Sequence, residues 1–377
     1  MKYFNKKFLI VIFTIFSVIN VFAIDYGANL KNDTKISPNE DDFFNLLQRN
    51  DLSAWIKVPF NENNSAYLVA EGLYRFEYNN SGSYRVNYID LSMLQFVLNK
   101  EIGDNLFSLN LGRFAFTDLT SCIFGQSADG VSFSFDSSVY NFSLYAAYTG
   151  LLNSNVIKMI NSEDFEIEPE KVYALSDKFA TVALGFSLPE LIPNNTLSLQ
   201  GLGAIRLDEI ANNKFYLTVG LDGVVNQNIF YSVYGTASLK SYDKEDYLIS
   251  SFAKADLNFI YDKLFLNVNA LFAGQDFEGV TSFVALNSGY EPEYNSLLKA
   301  GVLASYRILD NVKFFASADI AFNGKENYSL KGFQYDIGCD WQVVSDVYIG
   351  LDWNQYIDID ESDANYKAVN LKAMISF

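Results

Sequence analysis

The chain has 377 residues, a formal net charge of −18 and no histidine. Half of its residues are hydrophobic, yet no apolar run after residue 23 reaches the ~18 residues of a membrane helix. The negative charge argues against nucleic acid as a partner, because nucleic-acid binding relies on clustered basic residues. The lack of histidine removes Ser/His catalysis and ordinary zinc sites, so we expect no enzyme, no metal and no cofactor.

The first residues have the pattern of an export signal. Three lysines before residue 8 form a basic region, residues 8–19 an apolar core, and Val21-Phe22-Ala23 a small-residue cleavage site. The apolar core is too short for a spanning helix. We expect cleavage after Ala23. Residues 24–377 are then predicted to form a single domain, because no Pro/Gly/Ser-rich linker divides them.

The next stretch is predicted to hold a strand and a helix. Residues 25–31 can supply a strand. Ser37-Pro38 followed by acidic residues is an N-cap signal, and it predicts a helix over 37–49 with Leu46 and Leu47 on one face. A second short helix is predicted near 154–162.

From Ser53 onward, apolar and polar residues alternate in long segments separated by polar turns. Leu197 and Leu199, for example, alternate with Ser198 and Gln200. A two-residue period predicts strands with one apolar and one polar face. Strands of soluble sandwiches average about 5–6 residues. These segments reach roughly 10 or more, the length that crosses a bilayer at a tilt.

Seventeen such segments follow Ser53, and residues 25–31 raise the number to eighteen. We predict an all-β fold, a closed antiparallel transmembrane β-barrel of about 18 strands. Sixteen is the alternative, with the N-terminal segment in the lumen or along the rim. Under the eighteen-strand count, the helix at 37–49 lies in the first outside loop, where it is expected to pack on the rim or to serve as a plug or gate.

The connections alternate in length, as the short periplasmic turns and longer outside loops of such barrels do. Pro189 to Asn194 is a longish turn on the short side. The short connections are near 137–138, 226–227, 262–263, 310–311 and 345–346, and the long ones are about 116–127, 151–177 and 275–293.

The chain ends on an amphipathic strand, residues 365–377, whose last residue is Phe377. The export signal, the serial amphipathic strands and the terminal Phe together resemble the Gram-negative outer-membrane barrels, porins included. Residues 51–72 and 143–152 resemble spirochaete members. The resemblance implies an outer-membrane location and contact with its lipid. It also implies that the barrel-assembly machinery reads the last strand at Ile375 and Phe377. A homo-oligomer is left open.

Charged residues recur at membrane depth on the polar faces of the strands. A charge that faces lipid near the midplane costs about 2–4 kcal/mol, so these residues are expected to face a polar lumen. A barrel of about 16–18 strands leaves an aqueous path. The predicted lumen-lining residues are Glu71, Arg75, Glu77, Arg206, Asp208, Asp222, Lys254, Asp256, Lys299, Arg307, Lys313, Asp319, Asp336, Asp340 and Asp352.

Two long loops are acidic. If either folds into the mouth, its carboxylates attract cations; the alternative is a solvated outside surface. The loop at 275–293 carries Glu278 and other acids, with no basic partner expected. The possible acidic mouth loop at 151–177 contains Glu163, Asp164, Glu166, Glu168 and Glu170.

Cys122 and Cys339 are the only cysteines. Two cysteines are far from a disulfide framework, and we expect both to be free thiols.

Three functions remain open. The first is a porin-like channel for passive diffusion of small polar solutes or ions, with a preference for cations. The second is a closed structural or adhesive barrel that acts through its outside loops. The third is a transporter of hydrophobic solutes of the fatty-acid kind, with the helix at 37–49 as its gate.

Overall fold

The structure of the chain is a computed structural model. The residues that it describes are 24–38, 44–80, 84–156, 159, 171–207, 212–241, 247–281, 296–326, 328–359 and 365–377. The predicted export signal lies outside them.

The described residues form a closed barrel of eighteen antiparallel strands. Each strand pairs with the next in chain order, and β18 pairs with β1 to close the sheet. Eighteen strands are therefore confirmed, and sixteen is excluded. The strands are β1 (Asp25–Ser37), β2 (Asn45–Pro59), β3 (Ala66–Asn79), β4 (Tyr84–Ile102), β5 (Asn105–Thr117), β6 (Gly125–Asp136), β7 (Asn141–Tyr148), β8 (Phe179–Ile192), β9 (Asn195–Arg206), β10 (Asn213–Asn226), β11 (Ile229–Ser241), β12 (Tyr247–Tyr261), β13 (Leu264–Ala273), β14 (Leu297–Leu309), β15 (Val312–Asn323), β16 (Ser329–Val344), β17 (Val347–Asp358) and β18 (Tyr366–Ser376).

The two-residue period of the sequence separates the outer face of the sheet from its inner face. In β10, Leu217 and Val219 are 53% and 48% exposed, whereas Thr218 between them is 2% exposed. Successive side chains of a strand point to opposite faces, so the exposed leucines and valines form the belt that meets lipid.

Most connections at one end of the barrel are two-residue turns. Gly103, Asn194 and Asp262 adopt φ values of 62°, 62° and 48° in them. Gly, Asn and Asp tolerate this conformation, which tight hairpins require. The long turn expected from Pro189 to Asn194 is wrong. β8 continues to Ile192 through a register shift, which leaves only two residues for the turn.

The prediction of a helix over 37–49 is also wrong for the part of this range that the structure describes. Residues 45–49 belong to β2 and pair with both β1 and β3. Pairing on both sides satisfies their backbone groups and overrides the local helical signal. Residues 39–43 lie outside the described part, and 154–156 form a turn. None of the described helical segments is long and apolar enough to cross a membrane.

The barrel wall is interrupted where the β5–β6 hairpin leaves it. β4–β5 pairing ends at Arg113 and β6–β7 pairing ends at Asp129, although β5 and β6 stay paired with each other up to Thr117. The departure occurs at Gly112, whose φ is 114° and where a Cβ would lie 2.1 Å from the Leu94 carbonyl oxygen. We call residues 113–129 the lumen hairpin, because its tip crosses the interior.

The β7–β8 connection occupies the gap that the lumen hairpin leaves. Ile89 of β4 donates its N–H to the Val172 carbonyl at 3.3 Å. The Asn153 amide donates to the Ile89 carbonyl at 3.1 Å. Leu151 and Leu175 of the same connection are 53% and 65% exposed. This connection therefore completes the wall with its own apolar surface.

Candidate channel interior

The tip of the lumen hairpin, residues 118–124, is ordered by one carboxylate. Asp118 accepts hydrogen bonds from the backbone N–H of Thr120, Ile123 and Phe124 at 2.8–2.9 Å. Hydrogen bonds from backbone N–H groups to one side chain restrict the conformation of a loop. The tip therefore keeps its shape although it lies outside the regular pairing of the sheet.

The tip reaches strands on the far side of the barrel. Leu119 donates its N–H to the Gln200 side chain of β9 at 3.1 Å. Lys254 of β12 donates to the Thr120 carbonyl at 3.4 Å. These contacts place the hairpin across the lumen and narrow it.

One face of the hairpin is apolar and packs on the inner wall of β7 to β13, which we call the filled side. The ring of Phe116 stacks on that of Tyr145 with 4.0 Å between centroids. Phe124 is fully buried beside them. Further buried members of this cluster are Phe114, Ile123, Leu152, Met159, Phe179, Leu202, Tyr216, Phe252, Leu271, Phe277 and Val280.

A second connection enters the lumen on the filled side. Glu278, between β13 and β14, contacts the ammonium groups of Lys214 and Lys240 on β10 and β11. The expectation that this loop lacks a basic partner is therefore wrong for Glu278. Sequence reasoning missed the site because the lysines lie on other strands.

Arg113 joins the hairpin to the wall at the point where they separate. Its guanidinium donates to the Asp129 carboxylate at 2.8 and 2.9 Å, to the Leu91 carbonyl at 2.8 Å and to the Leu151 carbonyl at 3.0 Å. It also lies 3.5 Å from Asp90, and its side chain is 7% exposed. The base of the hairpin, strand β4 of the wall and the β7–β8 connection are therefore all bonded to the buried guanidinium group of Arg113.

The inner wall of β15 to β18 and β1 to β3, which we call the open side, carries ion pairs that remain exposed. Lys313–Asp340 and Lys372–Asp352 are both 2.8 Å apart, and the lysine side chains are 46% and 39% exposed. Arg49, 2.9 Å from Glu77, is 39% exposed. Inside a closed barrel, such exposure requires free space beside the side chain.

Other polar groups of the open side bond to their neighbours along the wall. Arg75 donates to Asp51 at 2.7 Å. Asp336 accepts from Ser317 at 3.2 Å and from the amides of Gln334 and Asn354. The open side is therefore polar and carries charges of both signs.

The structure brings several of the predicted lumen-lining residues into contacts. Lys299 pairs with Asp319 at 3.2 Å, Lys254 with Asp256 at 3.4 Å, and Arg206 with Asp177 at 3.7 Å. Asp222 accepts from the Tyr234 hydroxyl at 2.6 Å.

The remaining predicted site residues are less tightly placed or not described. Glu71 accepts a bond from Ser92 through its backbone carbonyl. Arg307 is exposed and lies opposite Lys313 in register. Asp208 and the five acids of the possible mouth loop at 163–170 lie outside the described residues.

Neither cysteine is part of a disulfide within the residues that the structure describes. Cys122 is buried in the hairpin tip, and burial raises the pKa of its thiol to about 11. Cys339 lies opposite Phe314, a residue of the exposed outer belt. Within the described part of the chain, no group of His, Cys, Asp and Glu is arranged to hold a metal ion.

No family model matches the chain, and no curated protein matches it. Solved structures do. OccK2 (OpdF) of Pseudomonas aeruginosa has a TM-score of 0.66 at 8% identity, over 94% of this chain and 98% of that one. OccK11 (OpdR) of the same organism has a TM-score of 0.62 at 10% identity, over 94% of this chain and 96% of that one. The outer membrane protein opdK of Pseudomonas aeruginosa has a TM-score of 0.59 at 10% identity, over 94% of this chain and 99% of that one. The fold is that of an outer-membrane β-barrel. The predicted fold class is confirmed, and the spirochaete resemblance stays a prediction.

Proposed function

We propose that the protein is an outer-membrane channel through which small hydrophilic solutes diffuse passively. The observation that carries this proposal is the exposed polar strip of the open side, where Lys313, Lys372 and Arg49 keep 46%, 39% and 39% of their side chains exposed. Barrels of about 16–18 strands leave an aqueous path. The lumen hairpin narrows that path without charged side chains on its exposed positions, which include Ala115, Thr117 and Ser121.

The arrangement of the ion pairs favours a channel over a closed structural barrel. A lumen that is closed by its charges requires pairs that span it. Here Arg49–Glu77 joins β2 to β3, and Lys372–Asp352 joins β18 to β17. Pairs between adjacent strands stabilise the wall and leave the space beside it open.

The apolar cluster of the filled side argues against a hydrophobic-solute transporter. Such a transporter needs an apolar pocket that a ligand can enter. In this barrel the apolar inner wall is covered by Ile123, Phe124, Phe277 and Val280, which are 0–2% exposed.

We also propose a mild preference for cations. The support is Asp336, whose hydrogen-bond partners Ser317, Gln334 and Asn354 are all neutral, so that they leave its charge uncompensated. Carboxylates along a pore attract cations. Reversal potentials across a salt gradient measure the cation-to-anion permeability ratio, and an anion preference contradicts this part of the proposal.

Export and assembly complete the proposal. We propose cleavage after Ala23, which the mass of the mature protein tests. We further propose that the barrel-assembly machinery reads the last strand. Phe377 is 77% exposed, and its backbone N–H and carbonyl bond to Ala28 where the barrel closes. Replacing Phe377 by Ala is expected to lower the amount of assembled barrel in the outer membrane.

The deciding experiment is single-channel recording of refolded residues 24–377 in a planar bilayer. Discrete conductance steps are expected, because the exposure of Lys313, Lys372 and Arg49 indicates water-accessible space beside the open side. Liposome swelling with sugars of increasing size then measures the width of the path. A barrel that refolds correctly and stays silent in the bilayer contradicts the channel and points to the outside loops.

A further inference from the structure

The connection between β13 and β14 carries a carboxylate that lies between two ammonium groups. Lys214 and Lys240 face each other in register on β10 and β11, and Glu278 contacts both. The Lys214 Nζ–Glu278 Oε1 distance is 2.5 Å. The lysine side chains are only 1% and 6% exposed, so the carboxylate replaces most of their water.

Neighbouring contacts fix the backbone around Glu278. Lys214 also donates to the Gly279 carbonyl at 2.9 Å, and the Tyr216 hydroxyl donates to the Glu278 carbonyl at 2.6 Å. The Phe277 ring stacks on Phe252 with 5.0 Å between centroids. Residues 277–279, which we call the tether, are therefore anchored to three strands of the filled side.

The residues directly after the tether hold the tip of the lumen hairpin. Val280 and Thr281 donate their N–H groups to the Ile123 carbonyl at 2.8 and 3.1 Å. Gly125 donates its N–H to the Thr281 hydroxyl at 3.0 Å. A displacement of the tether thus moves the atoms to which the hairpin tip is bonded.

The opposite face of the hairpin borders the free lumen. Ala115, Thr117, Ser121 and Gly125 are exposed there, while Cys122, Ile123 and Phe124 between them are buried against the filled side. The distance from the filled side to the hairpin therefore determines the space left beside the open side.

We propose that Glu278 is a positioning residue that sets the width of the aperture by tethering the lumen hairpin. This inference rests on the proposed channel function for its effect on conductance, but not for its effect on the hairpin. Loss of the carboxylate removes a negative charge that contacts both ammonium groups, so the repulsion between these buried like charges on adjacent strands increases and favours entry of water.

The first test is single-channel conductance of Glu278→Gln. The variant is expected to conduct about 1.5-fold more than the wild type, with larger current fluctuations, because one of the contacts that hold the hairpin against the filled side is weakened. Asp310→Asn is the matched control. It removes one negative charge at a two-residue turn, where Asp310 is 98% exposed and 3.8 Å from Lys263. Its conductance is expected to stay at the wild-type value.

The second test measures the accessibility of the hairpin tip by chemical labelling and does not depend on conductance. Cys122 is 2% exposed, and a Cβ on Gly279 would lie 3.4 Å from its carbonyl oxygen, so the tether covers this part of the tip. In a Cys339→Ala background, a polar maleimide is expected to label Cys122 about tenfold faster in Glu278→Gln, because local opening exposes the thiol. Asp310→Asn is expected to label at the wild-type rate.

Heat-modifiable migration in electrophoresis shows which variants fold. If Glu278→Gln does not fold, Lys240→Met takes its place, because it keeps the Lys214–Glu278 pair and is expected to raise labelling to a smaller extent. Unchanged labelling in the folded variant overturns the proposal. A silent wild-type channel together with faster labelling overturns the channel function and leaves the tether supported. Faster labelling with unchanged conductance overturns the assignment of Glu278 to aperture width.

Discussion

The filled side and the open side of the lumen use buried and exposed charges for different tasks. On the filled side, Lys214 is 1% exposed and bonds to Glu278 and Gly279 of the β13–β14 connection. At the hairpin base, Arg113 is 7% exposed and bonds to Leu91, Asp129 and Leu151 of three different segments. On the open side, Lys313 and Arg49 are 46% and 39% exposed and pair with an adjacent strand. Buried cations position loops, whereas exposed ion pairs line the space that the loops leave.

The largest expected effect comes from Arg113→Met compared with Arg49→Met. Arg113 leaves Asp90 and Asp129 without their cation in a buried site, so its loss is expected to cost about 3–5 kcal/mol of folding free energy. Arg49 is part of an exposed pair, for which a loss below about 1 kcal/mol is expected. Urea titration of the barrel in lipid vesicles measures both. Equal losses would break the distinction between the two sides.

A smaller effect is expected from Gly112→Ala compared with Gly201→Ala. Gly112 has a φ of 114°, and the added Cβ would meet the Leu94 carbonyl oxygen at 2.1 Å. A non-glycine residue in such a conformation costs about 1–3 kcal/mol. Gly201 lies in a regular strand with nothing within 4 Å of its Cβ position, so a change within about 0.5 kcal/mol is expected. If both variants unfold at the same urea concentration, the hairpin does not depend on Gly112.

The smallest effect concerns selectivity, through Lys313→Gln compared with Lys263→Gln. Removing Lys313 takes away the ammonium group that pairs with Asp340 on the open side, and the cation-to-anion permeability ratio is expected to rise about twofold. Lys263 pairs with Asp310 at exposed turns between strands, so its removal is expected to leave the ratio unchanged. Reversal potentials in a salt gradient check both. An equal response of the two variants would place the selective region outside the open side.

Local pattern predicted the strands better than it predicted the ends of the barrel. Alternation such as that around Leu217 and Val219 predicts a strand wherever one face meets lipid. The cap signal at Ser37-Pro38 predicted a helix, but residues 45–49 pair with two strands that the local signal does not contain. The turn near Pro189 failed for a related reason, because a register shift absorbs the extra residues.

The candidate site was accessible to sequence reasoning only in part. Charged residues at membrane depth, such as Lys313 and Asp352, can be assigned to the lumen from the sequence, because a charge that faces lipid is energetically unfavourable. Sequence reasoning misses Arg49 and Asp51, because they fall in or directly after the stretch whose cap signal predicts a helix. Arg113 and Asp118 were missed because the bend at Gly112 removes their surroundings from the regular pattern of the wall.

The sequence by itself determined that this chain forms a membrane barrel, because strand period, strand length and turn chemistry are properties of neighbouring residues. Only the tertiary structure decided which side of the lumen is filled. That outcome depends on contacts such as Leu119 with Gln200, 81 positions apart, Lys214 with Glu278, 64 apart, and Gly125 with Thr281, 156 apart. No local pattern contains such pairs, because they form only after the closed sheet has brought distant strands and loops together.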